Sequence, residues 1–172
     1  MSAPEFSREI DIRSLSSKPV QIEADEAERA ALARRFLLVA VKSLAAEVTL
    51  EDTGDAIIAK GRLHADIVQS CAVSGEDLPV MIDEKLHLRF VEGEEVFSPD
   101  EEVELDEAEL DDIPFDGQVI DLGEAMAQTL ALSVDPYAIG PNAEAARVKH
   151  GLIEEGKSGP LAEALAALKK GG

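Results

Sequence analysis

The chain has 172 residues, a mass of 18.4 kDa and a net charge of −20, from 16 Lys and Arg against 36 Asp and Glu. Apolar residues make up 45%, enough for a core, and with no Trp, one Tyr and five Phe that core must be aliphatic. One cysteine, Cys71, excludes an internal disulfide framework and any site of several thiolates. The longest apolar run, Phe36 to Val41, is far short of the ~20 residues that span a bilayer. Met1 to Ile12 carries acidic residues and no apolar stretch, so a secretory leader is not expected. These features predict a soluble cytoplasmic protein of one domain with appendages.

In chain order, Phe6 to Leu15 alternates, with Phe6, Arg8, Ile10 and Ile12 on one face, and predicts a strand. Pro19 to Ile22 reads as a second short extended piece. Asp25 with Glu28 three residues on has the pattern of a capping box and predicts a helix start. Ala27, Ala31, Leu32 and Phe36 recur at helical spacing behind it.

From Leu44 the period changes to two. Ala46, Val48 and Leu50 alternate with Glu47, Thr49 and Glu51, and Thr53-Gly54-Asp55 is a turn signal. Ile57, Ala59, Gly61, Leu63, Ala65, Ile67 and Cys71 then share one parity, with Gly61 a candidate bend or bulge. Ser74 to Pro79 reads as a loop. Val80, Ile82, Leu86, Leu88 and Phe90 form a third alternating strand. Three such strands joined by short turns predict an antiparallel meander with one buried face.

Charge then concentrates. Residues 1–89 hold 11 basic and 16 acidic side chains, residues 90–146 hold 17 acidic side chains and no Lys or Arg, and residues 147–172 hold 5 basic and 3 acidic. Glu92 to Asp112 alone contains twelve carboxylates. Such a run repels itself and repels nucleic acid phosphate, whose binding depends on Lys and Arg displacing counterions. A basic protein partner is the favoured one, and a solvated loop that keeps the protein soluble is the plainer reading. Val103 and Leu105 alternate with Glu104 and Asp106, a pattern suited to a charged edge strand.

Asp121 and Glu124 repeat the capping-box pattern, and Leu122, Ala125, Met126, Thr129, Leu130 and Ser133 share a helical face. This predicts a helix packed across the sheet and ended before Asp135-Pro136. Pro160 and the spacing of Leu161, Leu165 and Leu168 predict a short terminal helix with Lys169 and Lys170 at its C-terminal end. The fold class expected is α+β: an antiparallel β-meander, open or barrel-like, packed with two main helices, plus a short C-terminal helix. Residues 1–140 form the α+β domain, including acidic segment 92–112, and residues 141–172 a flexible extension.

Chemical motifs are sparse. His64, His87 and His150 show no H-x-x-x-H or H-E-x-x-H spacing, and His64 has the opposite strand parity from Cys71. Cys71 is expected as a small buried apolar residue at a strand end. No nucleophile elbow, P-loop or dinucleotide fingerprint occurs, and the acidic run lacks the order of a calcium loop. Catalytic residues, metal ligands and cofactors are therefore all expected to be none.

The order of features carries more than any single one. Gly61 to Pro79 with Cys71, the strand ending Leu88-Arg89-Phe90, the acidic segment, Ile120 to Leu132, Asp135-Pro136-Tyr137 and the tail Leu161 to Lys170 together resemble the bacterial YceD-like family, in its alphaproteobacterial form. The resemblance runs from about residue 6 to 170. It implies a role in accumulation or processing of large-subunit ribosomal RNA, hence ribosome biogenesis, with no catalytic residues to carry over. It also implies two cysteine pairs suited to zinc in many relatives. Here Ser74 stands at the second position of the first pair, and no cysteine follows Pro136.

The function expected is a non-enzymatic ribosome-biogenesis factor that binds a basic ribosomal protein or large-subunit assembly factor. Glu92, Glu94, Glu95, Asp100, Glu101, Glu102, Glu104 and Asp106 are its candidate contacts, and ribosomal RNA is contacted indirectly. Neither membrane nor DNA is an expected partner. The alternative is direct ribosomal RNA binding through Arg29, Arg34 and Arg35, with Lys42 as a further candidate, a thin footprint beside a charge of −20. A metal-dependent hydrolase is a further alternative that no motif favours.

Overall fold

The computed structural model describes residues 5–93 and 112–151. Its strands and helices, in order, are β1 (Glu9–Asp11), β2 (Val20–Glu23), α1 (Glu26–Arg35), β3 (Ala40–Asp52), β4 (Ile57–Ser70), β5 (Asp77–Glu92), β6 (Asp112–Phe115), β7 (Val119–Asp121), α2 (Leu122–Ser133) and α3 (Ala143–Lys149). Five strands form one open sheet in the order β2-β3-β4-β5-β6, and β1 pairs with β7 in a second, two-stranded sheet. The class is α+β, and the large sheet is not closed into a barrel.

The chain forms two compact units. Among the described residues, one comprises 5–69 together with 79–93 and 112–135, and the other comprises 70–78 with 136–151. The first holds the core. Alternation along β3 and β4 buries Leu44, Ala46, Val48 and Leu50 on one strand and Ile57, Ala59, Leu63, Ala65 and Ile67 on the other. Phe6, Phe90 and Met126 are the large side chains that join this aliphatic layer. Helix α2 contributes Leu122, Ala125, Met126, Ala127 and Leu130 to the same cluster, so the expected helix against the sheet is present.

Gly61 is a close-approach glycine rather than a bend. It pairs with Val48 in unbroken register, and a Cβ there would overlap the Glu47 carbonyl. The register shift lies across the ladder on β3, between Val41 and Ser43, and β4 is one continuous strand of 14 residues.

The N-terminal strand is shorter than the alternation predicts. Regular pairing covers Glu9–Asp11 only, because the Asp11 carboxylate accepts from the Arg13 backbone N–H at 2.9 Å and turns Ile12–Ser14 into a 3-10 helix. Helix α1 has the expected reciprocal cap: Glu28 N–H donates to Asp25, and Asp25 N–H donates to Glu28. Its buried residues are Leu32 and Ala33, while Ala27 of the predicted stripe is exposed. At α2 the reciprocal half of the cap is replaced. Asp121 accepts from Glu124 N–H, from the Arg8 backbone and from the Ser7 hydroxyl, while the Glu124 carboxylate turns to Arg35.

The edge strand β6 of the large sheet departs from the predicted meander. β6 pairs with β5 in parallel, Arg89 opposite Asp112 and Glu92 opposite Phe115. A parallel neighbour requires a long connection, and residues 93–111 supply it. The predicted edge strand around Val103 and Leu105 and the predicted helix from Leu161 to Lys170 lie outside the described residues. Helix α3, beginning after Asn142, had no counterpart among the predicted elements.

Candidate functional site

Three constellations hold the residues singled out from sequence. The first is where the acidic segment joins the sheet. Glu92 closes β5 and is exposed. Gly93 follows with φ 128°, and its N–H donates to the Phe115 carbonyl at 3.1 Å. The chain re-enters at Asp112, which receives both a 2.9 Å and a 3.2 Å contact from the Arg89 guanidinium. Arg89 also reaches Asp55 at 3.3 Å. The carboxylates raise its pKa further, Asp112 first and Asp55 after it. Both ends of the acidic segment are thus fixed to one sheet edge. Glu94, Glu95, Asp100, Glu101, Glu102, Glu104 and Asp106 lie outside the described residues.

The second constellation is the basic one on α1. The sequence groups Arg29, Arg34 and Arg35, and the structure separates them. Arg35 holds Glu124 of α2 through two bonds of 2.7 and 2.8 Å and also meets Glu5 at 3.1 Å. Arg29 donates to the Ala24 carbonyl at 2.7 Å. Arg29 and Arg34 line a groove with Lys42 of β3. Lys42, the further cation named with the arginines from sequence, thus shares a groove with two of the three.

The third lies within residues 70–78 and 136–151. Cys71 follows β4 and is buried. Its sulfur accepts N–H groups of Ser74 (3.3 Å), Gly140 (3.3 Å) and Val73 (3.4 Å). Hydrogen bonding from the Ser74 side chain is the largest cause that pulls the thiol down to about 6, and the Ser74 and Gly140 backbone bonds add to it. Cys71 is therefore buried as expected but is not an inert apolar side chain. Its carbonyl accepts from Gly75, and Ala72 N–H donates to Ala138. Glu76 accepts from both the backbone and the side-chain amide of Asn142, at 3.1 and 2.6 Å.

A sequence profile described as "Large ribosomal RNA subunit accumulation protein YceD" matches residues 59–169. The chain belongs to the YceD family. The matched span starts in β4 and takes in the Cys71 turn, the acidic segment and α2. Curated proteins and solved structures yield no match to the chain.

Membership places the chain with proteins of large-subunit ribosomal RNA accumulation, a family associated with ribosome biogenesis and not known for catalysis. Among the described residues no helix is long and apolar enough to cross a membrane. The Cys71 turn does not fit zinc. A single sulfur with a serine hydroxyl beside it is not a tetrahedral thiolate set, and among the described residues no three His, Cys, Asp or Glu side chains converge. The segment carrying Gly140 instead meets the Cys71 turn through hydrogen bonds. His64 and His87 point outward from their strands, and His64 lies 3.4 Å from Asp83 on the exposed sheet face.

Proposed function

We propose that this YceD-family chain is a non-enzymatic assembly factor that binds a basic ribosomal protein or large-subunit assembly factor through its acidic segment, and so supports accumulation of large-subunit ribosomal RNA. The observation that carries this reading is the charge placement. Residues 90–146 contain 17 carboxylates and no Lys or Arg, and the densest part leaves and re-enters the sheet at one edge. Glu92, Glu94, Glu95, Asp100, Glu101, Glu102, Glu104 and Asp106 are the contacts proposed. Facing a basic surface, such carboxylates steer encounter and reject acidic partners, contributing more to association rate and specificity than to final affinity. Salt screens them over about 8 Å at physiological ionic strength.

Ribosomal RNA is contacted indirectly on this reading. Direct RNA binding by the three arginines is weakened by Arg35, which is committed to Glu124. The test is a variant with Glu94, Glu95, Glu101, Glu102 and Glu104 all changed to Gln. Association with purified basic large-subunit ribosomal proteins is measured at low and high salt. The expected outcome is slower association and loss of most of the salt dependence. Unchanged binding by the variant would remove the proposal.

A further inference from the structure

We propose that the groove between α1 and the start of β3 is a docking site for an extended acidic peptide of a partner protein, which adds as a strand to the open edge of β3. The edge is one observation. β2 pairs only with Ala45–Val48, and the Ala24 N–H closes the ladder on the Leu44 carbonyl. On that side of residues 40–43, no strand pairs among the described residues. Val68 of β4 accepts the Val39 N–H and pairs with Ala40, so Ala40 faces β4 and the next residue, Val41, turns its backbone groups to the open edge before the register shift. An unpaired edge beside a groove is the geometry of strand addition, in which main-chain bonds give affinity and side-chain pockets give specificity.

The groove supplies those pockets. It encloses about 510 Å³. One wall is a face of α1 with Arg29, Ala30, Ala33 and Arg34, and the other includes Leu38, Val39 and Lys42. Small alanines open space for backbone, and Val39 is 48% exposed. Three cations stand over this apolar floor against one carboxylate, Glu26. Among the described residues neither Arg34 nor Lys42 has a carboxylate partner within 4 Å. A local cluster of uncompensated cations in a chain of net charge −20 is complementary to an acidic peptide with apolar residues at alternate positions.

Leu37 adds a third observation. The α1 C-terminus has Leu38 N–H donating to Ala33 and Leu37 N–H to Arg34, the two bonds of a Schellman end. The residue that adopts the left-handed conformation there is Leu37, at φ 55°, where glycine is the common choice. It is 89% exposed. It is thus an exposed apolar side chain in an unfavourable conformation, in the turn between Arg34 and Leu38, two residues that line the groove. Single-stranded RNA fits less well. The groove lining has no aromatic ring for base stacking, and a long polyanion meets the charge of the whole molecule.

The experiment uses the full chain and a short fluorescent peptide alternating glutamate with valine, titrated by anisotropy at low salt. Saturable binding is expected, weakened about tenfold or more in the Arg34→Glu, Lys42→Glu double variant. Both side chains are exposed, and an unchanged thermal melt confirms that the variant folds. The same peptide N-methylated at alternate amides should bind about tenfold or more weaker. Hydrogen exchange at Val41 should slow only with the unmodified peptide. Equal binding of the methylated peptide, no effect of the charge reversal, or preferential binding of an oligouridine probe that the charge reversal abolishes would each overturn the proposal. None of these outcomes bears on the acidic segment, so this inference and the proposed function fail separately.

Discussion

Cys71 shows how a single side chain can be read correctly for burial and wrongly for chemistry. Strand parity placed it inside, and it is inside. Parity carries no information about the turn that follows, where Ser74 and the distant Gly140 direct donors at the sulfur. A pKa lowered to about 6 predicts that the thiolate predominates at neutral pH, which a titration tests. Ultraviolet absorbance of the single thiolate, taken as wild type minus Cys71→Ala, should titrate near pH 6 in the folded chain. In denaturant it should move to about 8.5, the ordinary thiol value. The sign for stability follows from the depression. The stabilisation is fully present above the unfolded pKa and is lost as pH falls through about 6. The cost of Cys71→Ala should therefore grow between pH 6 and pH 9, measured by denaturant midpoints. At Gly61, replacement by Ala forces a methyl into the Glu47 carbonyl of a central strand pair. It should destabilise by about 1–3 kcal/mol, the usual cost of overpacking.

At the scale of elements, most of the secondary structure was legible because it is written in short periods. The capping box at Asp25 and the alternation of β3, β4 and β5 are local signals, and the structure carries each of them. What was not legible is pairing between distant segments. The parallel return of β6 depends on Asp112 meeting Arg89 across a long connection, and no local period records it. The sharing of Glu124 by the α2 N-terminus and Arg35 of α1 is of the same kind. That Arg35–Glu124 pair joins the two main helices and is roughly a third exposed on each side. Arg35→Ala should cost about 0.5–1 kcal/mol at pH 7 after allowing for solvent screening. Hydrogen bonding from Arg35 holds the Glu124 carboxyl below its ordinary value. The pair's contribution is thus present above about pH 4.5 and is lost as pH falls through the depressed pKa, so wild type and variant should converge in acid. At the end of α1, Leu37→Gly should raise stability by about 1 kcal/mol by relieving the left-handed leucine. A thermal melt reads it directly.

Across the whole molecule, charge and fold are organised on different principles. The sheet core is aliphatic and local in origin, whereas the net charge of −20 is concentrated in one stretch, residues 90–146. The sequence made that asymmetry visible without any structure, and the ordered succession of segments made the family visible. It could not show that Arg29 and Arg34 meet Lys42 across a groove while Arg35 turns elsewhere, because that depends on where α1 lies against β3. The proposed function depends on the acidic segment as the element that engages a basic partner. Affinity capture of the tagged full-length protein from its own lysate, washed in parallel at low and high salt, tests it most directly. Bound material is identified by mass spectrometry and RNA sequencing, with the Glu-to-Gln variant alongside. The prediction is large-subunit proteins or precursor particles retained at low salt, released at high salt and missing from the variant. Ribosomal material held equally by the variant, or none recovered by either protein, would contradict it.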